Sequence, residues 1–404
     1  MSRSIVVFCM RGVGHVQMLV PMIDALSSRG CVVHVFTDVE YRAMVEQAGG
    51  RFVDLFAGRP IDAADATSVP VPCRFVSFAA AYAESLADEV ARLAPDLVLY
   101  DTFSVVAPVV ARRLGVPHVN VCPNHAPVPA QIVAALLEDP RVAISAECHA
   151  AVRRLRDVHG MPDANPFSYV EALSPYLNLY CEPREFLLPD DRAALEPIAF
   201  VGSLSPRLRA GTRPPVFPAE HRGRRVYVGF GTVIWWYFEA RARAVLEAIA
   251  SACEDEAVDV VIALGGHRLD EAAVAALERP NVRVVGAADQ WTALAEADVF
   301  VTHHGLNSTH EAIFHGVPMI SHPFFGDQPA LARRCADLGL AVPLVSEPGG
   351  PVDPLAVRRA LEHVEVQRGA LESRLATARD WELRTIAERE SVVERLLDLA
   401  ASAT

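Results

Sequence analysis

No two of the eight cysteines stand close enough to form a C-x-x-C pair, so their spacing supports neither a zinc knuckle nor a thioredoxin-type couple. They are scattered singly from Cys9 to Cys335 and read as free thiols of a reducing compartment. Positive charge is also short: 37 Lys and Arg stand against 50 Asp and Glu, a net charge of −13. Such a chain lacks the electrostatic footprint that drives phosphate-backbone binding, so no nucleic-acid partner is expected. Local anion binding stays open, because helix N-termini supply amide donors without net charge. Long hydrophobic runs are missing as well. The first one, Ile5 to Met10, is too short for a signal peptide's apolar region and far too short to span a bilayer. It reads as a buried first strand, and a cytoplasmic chain with no integral membrane segment is expected.

What is present is a globular composition, 51% apolar and 22% charged, over 404 residues, too many for one ordinary core. Two domains are expected. Strand-like residues 5–10 run into the turn Arg11-Gly12-Val13-Gly14-His15, then into a helical pattern over 16–29 that Gly30 closes. Strand, glycine turn and helix recur at 32–36, 41–48, 97–101, 107–114 and 119–121. The pattern breaks between Ser205 and Gly223, where Pro206, Pro214, Pro215 and Pro218 fall among arginines, and restarts at Val226. Repeated alternation of this kind predicts α/β architecture with two doubly wound, Rossmann-like domains. The expected divisions are a first domain over 1–204, a linker over 205–223, a second domain over 224–380, and a C-terminal helix over 381–404 packing across the domain junction.

The stretch from Thr302 to Ala312 carries the most chemistry. It follows a strand and opens a helix; Gly305 allows close backbone approach, and Asn307, Ser308 and Thr309 sit where helix amides are available. That is a pyrophosphate cradle, or else an ordinary helix cap. A second segment, Phe324-Phe325-Gly326-Asp327-Gln328-Pro329, ends the next strand with a carboxylate beside an amide, a pair suited to adjacent sugar hydroxyls. With His303, Gly305, Asn307, Ser308, Glu311, Gly316, Pro318, Pro323, Asp327 and Gln328 in register, this half resembles the nucleotide-sugar-dependent glycosyltransferases of the GT-B fold. It is similar, more narrowly, to bacterial enzymes of the UDP-glycosyltransferase superfamily that glycosylate macrolides and aromatic polyketides in antibiotic biosynthesis.

The resemblance implies two domains facing across a cleft, an acceptor-binding one over 1–204 and a nucleotide-sugar-binding one over 224–380, and roles for these residues. His303, Gly305 and the amides around Asn307 and Ser308 would hold the diphosphate. Glu311 would accept ribose hydroxyls, and Asp327 and Gln328 would bind the transferred sugar. Gly231 and Thr232, in the turn after the strand at 226–230, would face the phosphates. Gln290 fits a family glutamine, but the Trp expected three residues before it is Ala287, and Trp291 follows instead. Trp291 is either a base platform or core, so uridine against thymidine stays open. On the other half, His15 follows the first strand and Asp101 ends a later one, at the strand ends where ligands of such sheets bind. A His oriented by a carboxylate is a general base, the role the resemblance also implies; the alternative is a turn His and a capping Asp. Phe75, Phe78 and Tyr82 at helical spacing are candidates for an acceptor wall or for core, and His125 for an acceptor contact.

The expected activity is inverting transfer of a sugar or deoxysugar from a TDP- or UDP-sugar to a hydrophobic small-molecule natural product. Its partners are that donor and acceptor, with no metal and no cofactor; a homodimer stays open. His303, His310 and His315 share no i, i+4 pair, which argues against a metal site. A sugar-nucleotide epimerase or a catalytically silent relative are the alternatives. A dinucleotide oxidoreductase fits poorly, because Gln17 stands where Gly12-Val13-Gly14 needs its third glycine.

Overall fold

Strands buried on both faces need apolar residues throughout, and the Val- and Ile-rich runs supply them. The structure, a computed structural model, describes residues 2–125, 128–206, 211, 213–220, 223–254, 256–345 and 350–402. Arg207 and Arg209 of the expected linker, and Ala126 and Pro127 beside His125, lie outside the described residues. The chain divides into two units, one of Met1–Ser205 with Thr385–Thr404, the other Pro206–Arg384.

The first unit holds a parallel seven-stranded sheet: β1 (Ser4–Phe8), β2 (Val32–Thr37), β3 (Arg51–Asp54), β4 (Leu97–Asp101), β5 (His118–Cys122), β6 (Asn178–Tyr180) and β7 (Ile198–Phe200), in the order β3-β2-β1-β4-β5-β6-β7. The second holds six: β8 (Arg224–Gly229), β9 (Val258–Ala263), β10 (Val282–Val285), β11 (Val299–Thr302), β12 (Met319–Ser321) and β13 (Ala341–Pro343), ordered β10-β9-β8-β11-β12-β13. Each is a doubly wound, Rossmann-like unit with its own core. Helices Cys73–Ala91 and Val106–Leu114 pack on the first sheet and Glu239–Cys253 and Pro354–Val366 on the second. In both sheets the winding direction reverses once, between β1 and β4 and between β8 and β11. The loops leaving such a pair of strands diverge and open a crevice at their carboxyl ends.

The last helix, Arg368–Ala401, begins in the second unit and ends in the first. Within the first unit, Arg389 donates from Nε to the Val201 carbonyl (2.9 Å) and from its terminal nitrogen to that of Leu204 (2.9 Å). Among the described residues no helix is long and apolar enough to cross a membrane. Nor does any group of three His, Cys, Asp or Glu side chains gather there as metal ligands.

Candidate active site

In the first unit, β1 and β4 lie side by side with Phe8 opposite Tyr100. Gly12 caps the helix Val13–Ser28, which places His15 in its first turn, directly beyond the end of β1. There His15 Nδ1 lies 2.7 Å from Asp101 Oδ2. Asp101 is fully buried, and its other oxygen accepts from the Met10 amide (3.1 Å) and the Ser104 hydroxyl. The carboxylate is therefore fixed from three sides, and it fixes the imidazole in turn. The Phe103 ring, 4.3 Å away between centroids, holds the imidazole from another direction. A neutral ring that donates through Nδ1 presents an unprotonated Nε2, and the His15 side chain keeps 18% of its surface exposed. Chemically the arrangement is an oriented base at a strand end.

The acceptor candidates separate. Phe75 lies 5.9 Å from Phe103 and so belongs to the aromatic layer behind His15. Phe78 is fully buried against Phe56 and Tyr82 and offers no surface to a ligand. The wall expected of Phe78 is thus core; helical spacing alone does not distinguish the two. Tyr82 is half-buried, with its hydroxyl donating to the Pro60 carbonyl (3.3 Å). His125, beyond β5, pairs through Nδ1 with Glu182 Oε2 (2.8 Å), and both are buried. Sequence reading missed this second His–carboxylate pair, because Glu182 stands 57 residues away with nothing local to mark it.

In the second unit, β8 and β11 are neighbours with Gly229 opposite Thr302, so the turn at Gly231 meets the one at His303. The buried His303 ring lies between two glycines. A Cβ added to Gly231 would stand 2.8 Å from His303 Nε2, and one added to Gly305 would stand 2.5 Å from it. Gly305 has φ −62°, which any residue adopts, so only the imidazole excludes a side chain there. Gly305→Ala is therefore expected to destabilise the second unit by about 1–3 kcal/mol, the usual cost of overpacking. In a His303→Ala background the penalty should vanish, which a double-mutant cycle by denaturant unfolding would read. A penalty that persisted would place the strain elsewhere. Thr232, one residue beyond Gly231, is exposed.

Gly305 caps the helix Leu306–His315, whose first turn carries Asn307 and Ser308. Gln290, opening the helix Gln290–Glu296, donates through Nε2 to Ser308 Oγ (3.1 Å) and to Glu311 Oε2 (2.8 Å). Gln290, Ser308 and Glu311 are one network. Trp291 packs against Phe314 and His315, with centroids 4.9 and 4.5 Å away, which favours its packing role over a base platform.

Beyond β12, Asp327 is half-buried at the N-cap of Gln328–Asp337. Gln328 is buried, and its Oε1 accepts from the Phe324 and Phe325 amides (2.9 and 3.2 Å). Its carbonyl end is spent closing its own loop; only the amide nitrogen is left for a ligand. Arg241 supports the same loop, donating to the Pro323 carbonyl (3.2 Å) with its guanidinium 4.9 Å over the Phe324 ring. No sequence signal marks Arg241 among the arginines of its helix.

Burial pushes His303 down to about 4, against the opposing pull of the Gly229 carbonyl, and it likewise depresses His304 to about 3 and His322 to about 4. His303 is therefore neutral near pH 7. Toward an anion it offers an N–H dipole and no positive charge. A depressed histidine binds protons in the unfolded chain first. These three rings thus contribute stability above pH 6.5, which is lost as pH falls toward 4. All four tryptophans, 235, 236, 291 and 381, lie in the second unit. Denaturant midpoints followed by tryptophan fluorescence should fall steeply between pH 6.5 and 4. A flat profile would mean that the rings are not buried neutral.

Comparison with known proteins agrees with this fold. Residues 218–348 match the family model described as UDP-glucoronosyl and UDP-glucosyl transferase. The chain is 24% identical over 345 residues to the NDP-glycosyltransferase YjiC of Bacillus subtilis, covering 83% of this chain and 82% of that one. It is 26% identical over 258 residues to the protein of the same name from Bacillus licheniformis, covering 63% of this chain and spanning 60% of that relative's length. Among solved structures, the glycotransferase of kitacinnamycin superposes with a TM-score of 0.74 at 25% identity, covering 98% of this chain and all of the other. The fold is GT-B, and the class is glycosyltransferase. Part of its second unit, residues 218–348, matches the UDP-glycosyltransferase model, and the chain is similar to bacterial natural-product glycosyltransferases.

Proposed function

We propose that the protein is an inverting glycosyltransferase that moves a sugar from a TDP- or UDP-sugar to a hydroxyl of a hydrophobic small molecule. The observation that carries this reading is the 2.7 Å contact between His15 Nδ1 and the buried Asp101, which leaves Nε2 of a part-exposed ring as the base. His15 Nε2 takes the acceptor's O–H proton as the oxygen attacks the anomeric carbon. The bond from that carbon to the diphosphate breaks, and the diphosphate leaves with the electron pair. Displacement from the opposite face inverts the anomeric centre. Asp101 holds the tautomer and offsets the imidazolium charge.

The second unit takes the donor. Amides of the Leu306–His315 helix around Asn307 and Ser308 and the neutral N–H of His303 face the diphosphate, Gln290 and Glu311 take the nucleoside, and Asp327 with the Gln328 amide takes the sugar. The relatives named NDP-glycosyltransferase support a nucleoside-diphosphate donor. The test is a panel of uridine and thymidine sugar nucleotides followed by melting shifts, since a bound donor raises the transition temperature by mass action. Turnover that proceeds without any acceptor would favour an epimerase. A response to nicotinamide cofactors and to no sugar nucleotide would overturn the reading.

A further inference from the structure

A single helical turn, Ile234–Tyr237, follows the Gly231 turn at the carboxyl end of β8. Ile234 and Trp235 are buried, and Trp235 is pinned twice: its Nε1 donates to the Gly231 carbonyl (3.1 Å) and its ring stacks on His267 at 4.9 Å. With those two residues facing inward, the next two are thrown out: Trp236 is 71% and Tyr237 53% exposed. An exposed Trp-Tyr pair on a firmly anchored turn offers two flat apolar faces to a ligand. Val233 beside it is also exposed, and residues 231–238 carry no charge. Three exposed side chains, Val233, Trp236 and Tyr237, fall well short of a protein interface, which takes roughly 20–30 residues a side.

Its neighbour identifies the occupant. The Tyr237 ring lies 6.3 Å from Phe325, and Phe238 stacks on Phe325 at 5.4 Å. Phe325 stands two residues before Asp327, in the loop that Gln328 closes. The uncharged aromatic shelf is thus continuous with the carboxylate and amide that read hydroxyl groups. Hydroxyl-reading groups beside flat aromatic faces suit a pyranose, which has polar edges and apolar C–H faces. We propose that Trp236 and Tyr237 form a sugar-binding shelf that selects the transferred hexose by its apolar face. This rests on the donor reading of the second unit.

The test is calorimetric titration of the full chain and of its Trp236→Ala and Tyr237→Ala variants. UDP and TDP serve as one set of probes, and their glucose and rhamnose conjugates as the other. The wild type should bind at least one conjugate more tightly than the matching diphosphate. Each variant should lose about three- to tenfold for that conjugate and nothing for the diphosphate, whose unchanged binding also reports an intact fold. The loss should be larger for rhamnose, which lacks a hydroxyl and presents more apolar surface. Equal binding of conjugate and diphosphate by the wild type would overturn the shelf, as would variants that bind the conjugate normally. Normal donor binding with a raised KM for acceptor would assign the patch to the acceptor instead. If neither diphosphate bound the wild type, the donor reading itself would fail, an outcome separate from the others.

Discussion

His15→Ala is expected to lower turnover on an unactivated alcohol or phenol about 10²–10⁴-fold while leaving donor binding intact. The loss is that of a general base. The proposed donor contacts lie on the second unit, whereas His15 stands in the first turn after β1. Asp101→Asn should cost less, because the base survives. Asparagine keeps an oxygen that can accept from Nδ1, from the Met10 amide or from the Ser104 hydroxyl, but loses the charge that supports the imidazolium. An acceptor that is already largely ionised at the assay pH should relieve much of the His15→Ala defect, since little proton removal remains to be done. Turnover of the alanine variant at the wild-type rate on an unactivated alcohol would show that His15 is not the base. A loss in Asp101→Asn equal to that in His15→Ala would shift the assignment toward the carboxylate.

Much of this was legible in the chain because doubly wound sheets write themselves locally. Gly115 closes the helix Val106–Leu114 with φ 68°, as its position after an apolar helix implies, and Gly316 does the same for Leu306–His315 with φ 73°. What escaped the sequence were short or non-local features. Strands β6, β7 and β13 have three residues each, too few to show a period, and form only because a neighbouring strand templates them. The His125–Glu182 pair joins the ends of two strands far apart in sequence. Phe78 illustrates the opposite failure. Its spacing is that of any helix face against a sheet, so sequence could not tell a ligand wall from a core, and packing decided for the core. His303 is legible as a residue of its turn but not in its charge state, which burial in the folded unit sets.

That neutrality sharpens the expectation for the donor cradle. His303→Ala should weaken the sugar nucleotide and the free nucleoside diphosphate alike, by about ten- to a hundredfold, the worth of a hydrogen bond to a charged group. Because the ring titrates only near 4, this loss should be the same at pH 6.5 and pH 8; a contribution that faded across that range would require a protonated imidazole. Asp327→Ala should behave differently, weakening the intact sugar nucleotide but sparing the diphosphate. Gln328 needs a finer substitution. Gln328→Ala leaves the Phe324 and Phe325 amides without their acceptor and disturbs the loop, whereas Gln328→Glu keeps an oxygen for both and removes only the amide donor. If that nitrogen reads a sugar hydroxyl, the glutamate variant should lose sugar-nucleotide affinity at unchanged melting temperature and unchanged diphosphate affinity. Equal losses of both ligands in the Asp327 variant would mean that its carboxylate supports the helix it caps and does not touch the sugar.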